Sequence, residues 1–416
     1  MKIAIIGSGI SGLTCAYILS RNNDITMFEK NDYIGGHTNT HEIDYNGSTF
    51  WVDSGFIVYN ERTYPNFIKI LDQLGVESQL TRMGFSVKSE KSNLEYAGHS
   101  LDGLFAQRSN IFRPSFLKIL FGMARFNSKA RNDIKSISLE TTLGDYLISN
   151  NYSKEFINNY IVPIGAAIWS TVPSRMMDIP AVFFIKFFDN HGLLQIVDRP
   201  KWWVIKGGSK KYIEKMISNF KDSIKLSSPV IKVIRSKNDV EIIYGENSDY
   251  SEHFDKVVFS NHSDQALKLI EKPTQKEIDI LGSIKYQNNN AILHFDDSIL
   301  PDRKRAWSSW NYLLDLEQDN PVALTYNMNI LQSLDSSRTF CVSLNCDDLI
   351  DSNKIIKNLK YEHPLFTVSS LNAQKRKHEI SGKNNTYYCG AYWSNGFHED
   401  GVTSALDVCE KFGESL

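Results

Sequence analysis

Residues 2–6, KIAII, form a short unbroken apolar run rich in β-branched side chains, the pattern of a strand covered on both faces. LTCAYILSRN, residues 13–22, then places its apolar positions at helical spacing. DITMFEK, residues 24–30, is a second strand pattern ending on Glu29. This alternation stops near residue 76, and residues 76–200 read as largely helical and aromatic. It resumes at WWVIKGGSKKYIEKMISNF, a glycine turn entering a helix, followed by strands around Val230 and over Lys256–Ser260. AWSSWNYLL and PVALTYNMNIL carry the aromatic and β-branched residues of sheet. The last stretch, TYYCGAYWSNGFHEDGVTSALDVCEKF, predicts a strand, an aromatic connector and a terminal helix.

These switches predict an α/β chain built from interrupted pieces. A Rossmann-like nucleotide domain draws on residues 1–75, 201–270 and 375–416. An interleaved α+β substrate domain takes 76–200 and 271–374. The chain shows no internal repeat and no low-complexity linker.

Between the first strand and helix lies Gly7-x-Gly9-x-x-Gly12, with Ser11 inside it. Each glycine has a separate task in a dinucleotide site. Gly7 makes the tight turn, Gly9 admits a pyrophosphate to the backbone, and Gly12 lets helix and strand pack closely. The helix N-terminus adds amide donors and a positive dipole end. Glu29, at the end of the second strand, is placed to accept hydrogen bonds from ribose hydroxyls and to repel a 2′-phosphate. No second G-x-G-x-x-G occurs, so the chain offers no second Rossmann domain for a docked nicotinamide.

Composition narrows the class further. Of 416 residues, 46 are basic and 48 acidic, a balance with no general attraction for nucleic acid. The cysteines, at 15, 341, 346, 389 and 409, show neither a disulfide framework nor the Cys/His spacing of a metal site. They read as reduced thiols of a cytoplasmic protein. Glycines interrupt the N-terminal apolar run, so it is not a signal peptide. No stretch reaches the roughly 18 apolar residues of a membrane span.

After Glu29 and Lys30 the chain continues NDYIGGHTNT, then VDSGFIVYN. An acid, a spacer and the pair Gly35–Gly36 resemble the extended FAD fingerprint of the amine-oxidase and phytoene-desaturase flavoproteins. Asp53-Ser54-Gly55 is similar to the segment that runs beside the isoalloxazine in that superfamily. Where the superfamily commonly has Arg or Lys after the glycine pair, this chain has His37. GAAIWST, FFDNHGLL, DRPKWW, YEHPLF and GAYWSNGFHEDGV extend the likeness over nearly the whole chain. They resemble a branch of NAD/FAD-binding flavoproteins associated with cyclopropane-fatty-acid-synthase-type methyltransferases.

The resemblance implies FAD as cofactor, with contacts at Gly7, Gly9, Ser11, Gly12, Glu29, Lys30, Gly36, His37, Thr38, Asp53, Gly55 and Val230. It also implies contacts at Gly390, Glu399, Asp400 and Val402, where the last helix points its N-terminus at the flavin ring. Asp400 reads as the N-cap of that helix. His398 is either an acid/base group or a packed histidine; Tyr59, Arg62 and Trp393 are candidate cavity residues for catalysis. The implied activity is desaturation or other oxidation of an unsaturated or methylated fatty acyl chain. A redox-neutral double-bond isomerase, an amine oxidase and a non-catalytic FAD-binding partner of a lipid methyltransferase remain open. Between Leu104 and Lys135, basic residues interleave with Phe, Leu and Ile, as in a helix that could rest on a membrane surface or simply snorkel its cations.

Overall fold

The computed structural model describes residues 1–195, 198–315 and 322–416. A five-stranded sheet runs in the order Ile224–Lys225, Asp24–Phe28, Lys2–Ile6, Lys256–Phe259, Thr386–Tyr388, with every pairing parallel. The central strand is apolar throughout because both faces are covered. Ile3 and Ile5 pack against the helices Ile10–Leu19 and His398–Glu410. Ala4 and Ile6 face the three-stranded sheet that contains Val233 and Ile242. The first helix approaches the glycine turn so closely that a Cβ at Gly12 would stand 2.0 Å from the Gly7 carbonyl oxygen.

The second lobe centres on a seven-stranded sheet in the order Ile355–Pro364, Tyr286–His294, Cys341–Leu344, Leu324–Asn327, Trp310–Leu313, Phe85–Ser89, Leu94–Ala97. Strand therefore occupies part of the stretch that the sequence pattern predicts as largely helical. Phe85–Ser89 is strand because it pairs in parallel with Trp310–Leu313, a partner more than 200 positions away; Leu94–Ala97 pairs with Phe85–Ser89, and Ser78–Thr81 pairs with Trp202–Ile205. Leu324–Asn327 is strand as PVALTYNMNIL suggests, but Met328–Leu331 turns into a short helix; Pro321 lies outside the described residues. The helices Pro114–Asp133, Val162–Trp169 and Ala181–Asn190 pack over this sheet around Phe116, Phe126 and Phe184. A small sheet, Tyr59–Asn60, Trp202–Ile205 and Ser78–Thr81, joins the lobes.

One buried ion pair ties the nucleotide sheet to its covering elements. Arg235 donates to Glu277 at 2.5 Å, and the Tyr388 hydroxyl, on the last strand, donates to the same carboxylate at 2.6 Å. Burial alone would raise the Glu277 carboxyl. Arg235, Tyr388 and the Thr274 amide outweigh it and hold the group at about 2, below the ordinary 4.5. A depressed folded-state value stabilises the fold above about pH 4.5, and that contribution fades as pH falls toward 2. Glu277→Gln is expected to cost about 3–5 kcal/mol in denaturant unfolding at pH 7, because it strands the Arg235 charge. Its stability should also fall less steeply than wild type between pH 4.5 and 2.

Candidate active site

The glycine turn opens directly into a large cavity. A Cβ on Gly9 would meet no protein atom within 4 Å, whereas one on Gly36 would stand 3.2 Å from the Gly9 Cα. Backbone thus closes around a space that begins at Gly9 and the N-terminus of helix Ile10–Leu19, where an anionic group is favoured. Glu29 braces this turn. It accepts from the Ser8 amide at 2.9 Å, the Ser8 hydroxyl at 2.7 Å and the Asn31 amide at 2.9 Å. Gly7, Ser11, Lys30, Gly55, Val230 and Gly390 also line the cavity. Gly12 stays behind it, in the helix–turn contact.

The cavity encloses about 1500 Å³ and continues from this cradle into the helical lobe, where Phe85, Tyr96, Met123, Ile164, Trp169 and Phe187 wall it. Four polar atoms on its lining residues are buried with no partner among the described residues: His37 Nε2, Asn261 Oδ1, Trp169 Nε1 and the Tyr392 hydroxyl. Buried polar groups rarely stay unpaired, so these atoms, spread from the glycine cradle to the helical lobe, fit a ligand with polar atoms along its length.

The sequence model for flavin containing amine oxidoreductases matches residues 10–337. The chain belongs to that family. That is a family of flavin-containing oxidoreductases, and the cofactor of this chain is FAD. The chain is 30% identical over 81 residues to the 15-cis-phytoene desaturase of Synechococcus elongatus, a stretch covering 19% of this chain and 16% of that enzyme. The first curated relatives are matched over only 6% to 16% of their own length. Its fold is that of the CLA-producing fatty acid isomerase from P. acnes, with a TM-score of 0.69, 16% identity and coverage of 99% and 98% of the two chains. Cyclohexylamine oxidase from Brevibacterium oxydans gives a TM-score of 0.69 at 14% identity, over 99% of both chains.

In this family member, histidines and aromatics replace the usual cation after the glycine pair. The His37 ring stacks on Tyr361 with centroids 4.9 Å apart, and His363 and His262 lie 5.3 and 6.3 Å away. Burial, then the neighbouring imidazoles, pushes His37 well below its ordinary value, so it stands as a neutral hydrogen-bonding group. His398 opens the last helix with its ring flat against Phe56, centroids 3.6 Å apart at 8°. Its Nε2 lies 3.0 Å from the Tyr212 hydroxyl, which lies 2.7 Å from Thr38 Oγ1. Burial lowers His398 to about 3. The ring is therefore neutral at ordinary pH, carrying a single N–H, and its contacts with Phe56 and Tyr212 hold it in the cavity wall.

Several predicted contacts are corrected by the structure. Thr38 stands behind the wall as the last member of the His398–Tyr212 hydrogen-bond chain. Asp53 is fully buried outside the cavity, where its carboxylate accepts from Thr40, the Ser209 amide and hydroxyl, and Gln332. Burial pushes it up to about 7 against those donors, and it clamps the glycine turn at Gly207–Gly208 to the antiparallel pair Thr40–Tyr45 and Ser48–Asp53. Glu399 faces the neighbouring helix Pro65–Leu74, accepting from the Asn66 and Phe67 amides at 3.0 and 2.9 Å and from the Asn66 side chain at 2.8 Å. Asp400 caps its own helix from the third position, accepting from the Phe397 amide at 2.8 Å, so the N-cap is Phe397. Val402 is core.

Among the catalytic candidates, only His398 reaches the main cavity. Tyr59 packs on Phe67 and donates to Ser78 at 2.6 Å. Arg62 binds Gln195 and the Asp198 carbonyl, in a separate pocket of about 540 Å³. Trp393 packs with Tyr388 and Tyr392 in the core beyond the sheet. The wall residues absent from the sequence-based set include Phe56, Tyr361, His262 and His363. VDSGFIVYN and YEHPLF contain some of them, but their convergence depends on the pairing of strands Tyr286–His294 and Ile355–Pro364 with the nucleotide lobe beside them.

Gly9 and Glu399 separate cofactor binding from folding. Gly9→Val is expected to melt within about 1 kcal/mol of the flavin-free wild type, because its backbone is ordinary and its Cβ meets no protein atom, yet to purify colourless. Glu399→Ala should lose about 1–3 kcal/mol in chemical denaturation by leaving helix amides unsatisfied. Its flavin absorbance per folded molecule should match wild type.

Proposed function

We propose that this oxidoreductase acts on an amphiphilic acyl chain, desaturating or otherwise oxidising an unsaturated or methylated fatty acyl group. The supporting observation is the charge distribution along the cavity. Among the described lining residues the carboxylates are Glu29 and Glu362. Glu29 braces the glycine turn, and Glu362 lies 3.2 Å from His262. Neither belongs to the aromatic arm, so that arm supplies no carboxylate for an ammonium substrate. Arg82, Arg199 and Lys201 line the cavity while remaining exposed, which puts cations where it opens. An apolar arm with a basic mouth suits a chain with an acidic head, tail inward.

Bound FAD supplies two-electron oxidation, accepting a hydride equivalent from a C–H bond. The protein supplies alignment and exclusion of water. Phe56 and His398 form a flat wall, Trp169 and Phe187 confine the chain, and neutral His37 places no charge beside the cofactor. Forming a C=C bond also releases a proton to solvent, and an external acceptor completes the cycle.

Anaerobic addition of unsaturated free fatty acids or phospholipid to the yellow holoprotein should bleach the flavin, with a more unsaturated product by mass spectrometry. A rearranged product without bleaching would instead show isomerisation. Bleaching by amines with no response to lipid would overturn the acyl reading. Ile168→Trp, which fills the apolar arm, should keep its FAD and lose at least about tenfold of the lipid-dependent rate.

A further inference from the structure

Helix Pro114–Asp133 is apolar on two opposite sides. Phe116, Ile119, Gly122, Phe126 and Ala130 face the core. A surface helix is normally polar on the other face. Here the exposed stripe of the first three turns reads Pro114, Leu117, Phe121, Ala124, and Ile111 and Phe112 precede it. Phe112 is 86% exposed and Phe121 70%, with Ile111 and Leu117 at 45% and 46%. Single exposed apolar residues need no explanation, but a continuous ridge with two phenylalanines in water does.

The charge around the ridge selects its occupant. No Asp or Glu occurs from Gly103 to Asn132, although the whole chain carries a net charge of −2. Some cations there are neutralised: Arg108 pairs with Asp102 and Lys118 with Glu155. Lys129 and Arg131, farther along the helix, pair with Asp133 and Asp189. Arg113 and Arg125 are different. Arg113, next to Phe112, donates to the carbonyls of Ser92 and Asn93 at 2.6 and 2.7 Å. Arg125, one turn beyond Phe121, donates to the Asn151 carbonyl at 3.3 Å and lies over the Tyr152 ring. Carbonyls orient these guanidinium groups without cancelling their charge, and neither has a carboxylate partner among the described residues.

We propose that this ridge docks the protein on an anionic lipid surface. Ile111, Phe112, Leu117 and Phe121 enter the boundary between headgroups and acyl chains, while Arg113 and Arg125 meet lipid phosphates. Among the described residues no helix is long and apolar enough to cross a membrane, so the contact is peripheral. The same helix turns Met123 into the large cavity, so docking sets one wall of that cavity against the lipid. The docking surface stands on its own geometry and does not depend on which substrate the cavity takes.

Flotation of the holoprotein with phosphatidylcholine vesicles, with and without phosphatidylglycerol, tests the proposal. Binding should require phosphatidylglycerol and weaken with salt. Phe112→Ser/Phe121→Ser should lower the partition coefficient at least about tenfold, while its flavin absorbance and melting stay as in wild type. Arg113→Gln/Arg125→Gln should lower it by about tenfold and flatten the salt dependence. Three results would overturn docking: no wild-type binding to phosphatidylglycerol vesicles, binding that the phenylalanine variant retains, or concentration-dependent self-association that this variant abolishes. The last would assign the ridge to a second copy of the chain.

Discussion

The close approach of the first helix to the glycine turn is the constraint on which the rest of the site depends. With no side chain at Gly12, the helix sits against the Gly7 carbonyl, and its N-terminal amides open onto the space beside Gly9. Glu29 locks that geometry by accepting from both the amide and hydroxyl of Ser8. A carboxylate that holds the turn by charge-assisted hydrogen bonds also keeps it from rearranging when the cavity changes occupancy. The last helix packs on the first through Gly401, whose Cβ would stand 2.8 Å from an Ile10 methyl. A shift of the first helix would therefore carry His398 and the cavity wall with it.

The carboxylates around this centre mostly satisfy backbone and side-chain donors of neighbouring elements. Glu399 completes the N-terminus of one helix, Asp400 that of another, and Asp53 gathers donors from three segments. Each is pushed toward protonation by burial and held by donated hydrogen bonds. A negative charge that is fully engaged in this way is removed from the cavity. What remains around His37 and His398 is neutral imidazole and aromatic surface, an environment that suits electron transfer to a bound ring more than proton transfer by side chains.

The local signals of the nucleotide lobe were legible because they are short-range. A buried strand, three glycines at fixed offsets and a terminal acid all fall within thirty residues, and the required backbone positions admit few other residue types. The interleaved α/β architecture could be read from the return of the same pattern near Trp202 and Thr386. Asp53 and Glu399 were misleading for one reason: they sit in motifs next to the cofactor, but a side chain one position along can point to the opposite side of its element. Trp393 illustrates the same limit, since its neighbour Tyr392 lines the cavity while Trp393 packs behind it.

The sequence by itself determined a dinucleotide cradle, the parallel nucleotide sheet and the basic, apolar character of residues 104–135. These follow from local periodicity, backbone geometry and composition. Only the tertiary structure decided which polar groups face the cavity and which are consumed by helix ends. It alone placed Phe85–Ser89 beside Trp310–Leu313, gathered His37, His262 and His363 in one wall, and left Phe112 and Phe121 in water. The physical reason is that side-chain direction and burial are settled by long-range packing, and contacts across hundreds of residues leave no periodic trace along the chain.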